Sequence, residues 1–224
     1  MTDLQTNPAP DRPTPAPGRA SAPASTPAAS QAQILEAAAQ CFMELGINVA
    51  TIDDVARRLG ATKGRIYHHF PSKDALVSHV RLQAPLHSHR AVQAVIRDDL
   101  PPDRNIHNMA RAHIATALRL MPYYKVYLAG GYGVTAKTHT AQERVLQADV
   151  RQASAAYEDL YRAVLLDGMD QGLFARRNLS ALVHSLLVLI NAPVIWYSPS
   201  QATTSAFHQQ IVDDVSDMAL SSLR

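Results

Sequence analysis

At 224 residues and 47% apolar content the chain can hold one large or two small domains with a buried core, and 21 Lys and Arg against 19 Asp and Glu leave a net charge of +2 that selects no class of partner. A single cysteine, Cys41, excludes an intramolecular disulfide. There is no signal-peptide core, and no later run reaches the roughly 18 uninterrupted apolar residues of a membrane span, because Asn191 and Pro193 break Leu186 to Ile195; the expected location is the cytoplasm.

Seven of the fourteen prolines fall in residues 1–30 among Ala, Ser and Thr, so this stretch reads as a disordered tail. From about Ile34 the apolar residues recur at three and four positions, and no alternating strand pattern follows anywhere; the fold class is all-α. Leu35, Ala38, Phe42 and Leu45 share the apolar face of a first helix with Cys41, which reads as a core residue. Residues 51 to 73 then read as two short helices joined by a glycine turn. Thr51 and Asp54 have capping-box spacing, Ile52, Val55, Ala56 and Leu59 give one apolar face, and Gly60 stops the helix. Thr62 caps a second helix that exposes Lys63, Gly64, Arg65 and Tyr67, while Ile66 and Phe70 read as core. Between Val55 and Lys73 stand five basic residues (Arg57, Arg58, Lys63, Arg65, Lys73) and no acidic one, a patch suited to phosphate.

Leu35 to Gly46, Thr51 to Leu59 and Gly60 to Lys73, with Phe42, Gly46, Tyr67, Phe70 and Lys73 in their places, resemble the N-terminal DNA-binding domain of the TetR/AcrR family of transcriptional regulators. The resemblance covers Ile34 to Leu76 and departs at Arg65, where the family more often has a small or hydroxyl residue. It implies that Thr62 caps the reading helix, Lys63 and Arg65 reach bases or phosphates, and Gly64 lets the DNA backbone approach. It further implies that Tyr67 and His68 touch phosphate or sugar and that Lys73 holds a phosphate with help from the next helix N-terminus. The implied organisation is a tail at 1–30, a helix-turn-helix domain at 31–76, and a helical effector-binding and dimerisation domain at 77–224.

A linking helix begins near Ser72, with Leu76, Val77 and Val80 packing back on the first domain, until Pro85 ends or kinks it. A short helix from His87 to Arg97 is expected next, then a stripe of Ile106, Met109, Ala110, His113, Ala117 and Leu120. Four of the eight tyrosines and three glycines crowd Tyr123 to Gly133. Thr140 and Glu143 form a second capping box before a long helix whose stripe runs Leu146, Val150, Ala153, Tyr157, Leu160, Val164 and Gly168, ending at Gly172. Two last helices span about Ser180 to Tyr197, apolar nearly all round, and about Thr204 to Ser222. Such a helix is buried or paired with another chain, and Leu186, Leu189, Val194 and Trp196 are the expected homodimer contacts.

His113 and Tyr123, Tyr124, Tyr127 and Tyr132 are the candidate ligand-binding residues, since aromatic walls with a few polar tips suit an amphipathic organic molecule; ordinary core is the competing reading. The run Asn191 to Tyr197 is similar to the C-terminal domains of TetR-type regulators that sense acyl-CoA thioesters or other hydrophobic acids. His87 and His89, two apart, share no helix face and have no Cys cluster or carboxylate at ligand spacing, so no metal site is expected. No nucleophile elbow, phosphate loop or carboxylate pair stands out, so neither an enzyme nor a cofactor is expected. The sequence thus predicts a repressor released from a palindromic operator in double-stranded DNA by a small hydrophobic or acyl-CoA-like effector. A drug-sensing repressor of an efflux pump, and an effector-independent architectural or interaction module, remain the alternatives.

Overall fold

The computed structural model describes residues 27–130, 141–198 and 205–224, and among these every regular element is a helix. The first unit contains α1 (Pro27–Leu45), α2 (Ile52–Leu59) and α3 (Lys63–His69). α1 starts inside the stretch read as tail. Proline is tolerated in a first helical turn and Ala28 and Ala29 are strong helix formers, so Pro27–Ser30 continue the helix backwards. The reciprocal cap of α2 is present: the Thr51 N–H donates to Asp54 Oδ2 at 2.9 Å and the Asp54 N–H donates to Thr51 Oγ1 at 3.2 Å. Gly60 sits at φ +63°, a left-handed conformation that a side chain would strain, and turns the chain into α3. Ile34, Ala38, Phe42, Val55, Ile66 and Phe70 close a core beneath the three helices. Cys41 belongs to this core, and burial pushes its thiol above the usual range despite the opposing pull of Arg58.

The linking helix α4 runs unbroken from Lys73 to Gln93, so Pro85 neither ends nor separates it, and the short helix expected from His87 is its second half. Pro85 lacks the N–H that would bond one turn back, a loss of about 3 kcal/mol in an isolated helix. Here the flanking turns are buried against α5 (Pro102–Arg119) and α7 (Ala141–Asp170), with Ala84, Pro85, Ser88 and Val92 all inside, and that packing carries the helix through the defect. α4 therefore serves two cores: Leu76, Val77 and Val80 complete the first, Ala84 and Val92 enter the second.

The second core is built from α4, α5, α7, α8 (Leu179–Trp196) and α9 (Ser205–Ser221), with Ile106, Met109, Ile114, Leu165, Leu187 and Ile190 fully enclosed. The expected α5 stripe is observed; in α7 Tyr157 and Gly168 of the expected stripe are buried, but between them Tyr161 and Leu165 are the fully enclosed positions, with Leu160 and Val164 half-buried against the same core. Both rows fit a helical period; only the position of α4 and α8 selects between them. Gly172, at φ +71°, ends α7 as expected. Tyr132 and Thr140 lie outside the described residues, and with Thr140 the capping box expected between it and Glu143 does too. Asn178 caps α8 by accepting from the Ala181 N–H at 2.9 Å.

α6 (Met121–Ala129) is the element that periodicity did not define. This nine-residue helix leans on α1 and α4, and its Val126 is buried in the first core. By length and composition α8 does reach the apolarity of a membrane span, with a mean hydropathy of 1.9 over 18 residues, in spite of Asn191 and Pro193. Burial among α5, α7 and α9 accounts for eight of its residues as core, while Val188, Ile195 and Trp196 stay on the surface of the protomer.

Candidate nucleic-acid interface and buried polar network

α3 divides cleanly by face. Ile66 and the following Phe70 are fully buried, whereas Lys63, Gly64, Arg65, Tyr67 and His68 are exposed together. Thr62 accepts from the Arg65 N–H at 3.4 Å and starts the helix at Lys63; Ser72 accepts from the Ala75 N–H at 3.0 Å and starts α4 at Lys73. Thr62 and Ser72 thus open the two helices that flank this basic, aromatic row; in a helix-turn-helix the reading helix enters a major groove while neighbouring groups position it on phosphates.

The patch is less purely basic in space than in sequence. Lys63 Nζ donates to Asp53 Oδ2 at 2.9 Å, Arg57 Nη1 to Asp54 Oδ1 at 2.9 Å, and Arg58 is paired with Glu44 and with Gln40 Oε1 at 2.9 Å. Asp53, Asp54 and Glu44 all precede the window in which no acid was found, and the helix turn carries them back beside it. The hydrogen bond to Asp53 pushes the Lys63 ammonium above its usual range, while the bonds from Thr51 and then Arg57 hold the Asp54 carboxyl below its own. Lys73 Nζ donates to the Asn48 carbonyl at 3.3 Å, tying α4 to the loop after α1.

Gly64 offers a direct test of close approach. A Cβ built there meets nothing within 4 Å, so Gly64→Ala should stabilise the free protein by about 0.5–1 kcal/mol through helix propensity. The same methyl should weaken duplex binding. Thermal unfolding and a fluorescence-anisotropy titration read the two effects separately, and unchanged duplex affinity would remove Gly64 from the interface.

Inside the second core lies a chain of polar groups. His113, only 1% exposed, accepts at Nδ1 from the Tyr157 hydroxyl at 2.7 Å and donates from Nε2 to Asn191 Oδ1 at 3.2 Å, and Asn191 Nδ2 donates to the Leu187 carbonyl at 2.8 Å. This assignment fixes the neutral ring with its proton on Nε2. Burial pushes the imidazole down to about 4, opposed only weakly by the Asn191 bond. Tyr124 Oη lies 2.6 Å from Ser88 Oγ, and Tyr127 Oη 3.0 Å from Ser154 Oγ. Burial drives the Tyr157 and Tyr161 hydroxyls far above the ordinary phenol range, and Tyr161 Oη is enclosed without a hydrogen-bond partner. The cavity between these groups is only about 10 Å³, roughly room for one water molecule.

Of the ligand-binding residues expected from sequence, His113, Tyr124 and Tyr127 meet at this cavity. Tyr123 does not. It points from the other side of α6 towards the first core, 6.4 Å from the His87 ring, because neighbours on a helix are turned about 100° from one another and Tyr123 and Tyr124 cannot share one face. Asn191, Tyr157, Ser88 and Ser154 were missed as partners, although a lone Asn inside the apolar run of α8 was the available signal. Among the expected dimer contacts, Leu186 and Val194 are spent inside the protomer, 2% and 1% exposed. Leu189 is half-buried and Trp196 is exposed, and the outward apolar row of α8 is carried by Val188, Ile195 and Trp196, with Phe207 and Met218 outward on α9. A 3.6-residue period turns Leu186 and Val194 inward when Val188 and Ile195 face out.

Comparison with known proteins agrees with this architecture. Residues 34–80 match the family model described as bacterial regulatory proteins, tetR family, and residues 99–223 match the tetracyclin repressor-like C-terminal domain. The HTH-type transcriptional repressor Rv1474c of Mycobacterium tuberculosis is 32% identical over 158 residues, which cover 66% of this chain and 82% of that protein. Among solved structures, the TetR family transcriptional regulator PfmR from Thermus thermophilus superposes with a TM-score of 0.68 at 24% identity, over 84% of this chain and 97% of that one. The ketosteroid transcriptional regulator KstR2 of M. tuberculosis superposes with a TM-score of 0.67 at 19% identity, over 86% of this chain and 94% of that one. Both family models and a relative matched over most of its length lead to one conclusion: the chain belongs to the TetR family of DNA-binding transcriptional regulators.

Proposed function

We propose that this protein is a homodimeric repressor that holds a palindromic operator through Thr62, Lys63, Gly64, Arg65, Tyr67, His68 and Lys73 of each protomer and releases it when a small hydrophobic effector enters the second core. The carrying observation is the sharing of elements between cores. α4 contributes to both, and α6 places Tyr124 against His113 while Val126, two residues on, is buried beneath α1. A ligand that shifts α6 on displacing Tyr124 would carry Val126 with it and so reach α1 and the core on which the reading helix rests.

The His113 cavity as it stands holds no organic ligand, which typically needs about 300–1,000 Å³. Entry requires α6 and α7 to part and the Tyr127–Ser154 and Tyr124–Ser88 bonds to break, so the effector replaces them with polar groups of its own on an apolar body. An acyl thioester or a sterol-like acid has that chemistry. The closed cavity equally favours a second reading, a regulator with no effector, in which the network is only a core polar cluster.

The first test is salt dependence. With Lys63, Arg65 and Lys73 engaged in both protomers, the log of the association constant should fall against log salt with a slope of about −5, for an inverted repeat with half-sites roughly 34–36 Å apart. Lys63→Ala with Lys73→Ala should flatten that slope by about four and weaken all sequences alike. An unchanged slope would exclude this face. Thermal-shift screening of acyl-CoAs, aromatic acids and dyes then separates the two readings, since a ligand of the folded state raises the melting temperature.

A further inference from the structure

A second and larger space lies where the two cores meet. Its described walls come chiefly from α1 and the loop after it, from α4, and from α6, and it encloses about 850 Å³, within the range of sites for organic ligands. No residue lining it also lines the His113 cavity. Val77 and Val126 supply apolar wall, Asn48 a polar edge, and Arg81 and Lys125 the positive charge.

Arg81 is the anomaly. Its Nε is buried and has no hydrogen-bond partner, and among the described residues no carboxylate pairs with its guanidinium. Burial pulls its pKa down, opposed only by through-space attraction to Asp74, which lines the same cleft. The residue is half-buried, so one guanidinium N–H is enclosed without an acceptor while the group still lines the cleft, and an acceptor arriving there would satisfy it. The guanidinium is also held in place from behind: it lies across Gly130, so close that a Cβ there would stand 2.7 Å from its Cζ. Arg81 thus lines the cleft with no acceptor on its Nε, and Lys125 lines the same cleft.

We propose that this junction cleft binds an amphipathic organic anion, with its carboxylate or phosphate on the Arg81 guanidinium and Lys125 ammonium and its apolar part along Val77 and Val126. The planar fork of arginine matches either headgroup through paired N–H donors. The site goes beyond the effector reading above. It is separate from the His113 network, and it touches the reading unit directly through Asn48, the residue whose carbonyl holds Lys73.

Isothermal titration calorimetry on the full chain tests this with four probes of one chain length: decanoate, decyl phosphate, decanol and decyltrimethylammonium. Both anions should bind, and the alcohol and the cation should bind at least about tenfold more weakly, since charge-assisted bonds carry the recognition. Tighter binding of one anion than the other assigns the headgroup. Arg81→Met should lose at least about tenfold in decanoate affinity while its own melting temperature stays level with wild type or rises, because a half-buried guanidinium with an unsatisfied Nε is replaced by an apolar side chain. Gly130→Ala keeps the charge but displaces it, and Lys125→Met removes the second cation of the cleft; both should weaken decanoate binding as well. Decanol binding as tightly as decanoate, or full decanoate affinity in Arg81→Met, would each overturn the assignment.

Discussion

A chain carrying Val188→Asp together with Trp196→Asp should be a monomer at micromolar concentration and should bind the operator at least about a hundredfold more weakly than wild type. Both side chains are outward in the single protomer, each 57% exposed, so the substitutions should leave the fold of one chain intact. In a two-fold dimer each patch meets its own copy, so every introduced carboxylate appears twice and faces apolar surface or its twin. Leaving such charges buried and unpaired costs several kcal/mol. Loss of the dimer then separates the two reading helices, and the second half-site no longer benefits from the high local concentration that linkage provides. Native mass spectrometry reads the assembly, circular dichroism confirms retained helix, and anisotropy reads operator affinity. A persistent dimer would move the interface away from α8. The comparison pair Leu186→Asp and Val194→Asp should instead unfold the chain, because those residues belong to its own core.

The stability of the chain should fall by about 3 kcal/mol between pH 6.5 and pH 4 through His113 alone. The ring is neutral in the folded state down to about 4, whereas the unfolded chain takes up a proton near the ordinary value of 6.5. Within that window the unfolded state binds more protons, so stability is full above pH 6.5 and is lost as pH falls. His79 and His87 are also depressed by burial and act in the same direction, while the depressed carboxyls Asp54, Asp99 and Asp213 lose their contribution only below about pH 4. The difference between wild type and His113→Gln therefore isolates the ring. Urea unfolding at pH 7 and pH 4.5, at one protein concentration, should show a gap between the two proteins that narrows with acid. Parallel curves would mean that His113 is not held neutral by its surroundings.

The reading unit was legible in the sequence because its signals are local. Thr51 with Asp54, Gly60, and Thr62 act within a few residues of one another, and their bonds appear in the structure where the spacing placed them. The division of α3 into an outward row and an inward pair follows from one helical period and needs no partner. The ion pairs were not legible. Asp53 meets Lys63 and Glu44 meets Arg58 only after the turns fold back, so a count of charge along the chain overstated the positive patch.

Further along, local rules gave way to packing. A proline rule broke α4 at Pro85, and burial against α5 and α7 carried the helix through it. Periodicity gave α7 a stripe but not its rotation, since a row of Leu160 and Val164 and a row of Tyr161 and Leu165 fit one period equally and only the neighbouring helices choose. The same ambiguity misplaced Leu186 and Val194, because an evenly apolar helix such as α8 carries no internal mark of which side meets its own chain.

What the sequence by itself determined is what short-range physics controls: helical class, the two caps and the glycine turn of the reading unit, and which of its residues face out. The tertiary structure alone decided which distant groups meet. His113 found Tyr157 and Asn191, Tyr123 parted from Tyr124, Val126 crossed into the first core, and Arg81 was left in the junction without an acceptor. Each of these depends on the rotation and crossing of whole helices, which the burial of many apolar side chains sets together and no single stretch of residues encodes.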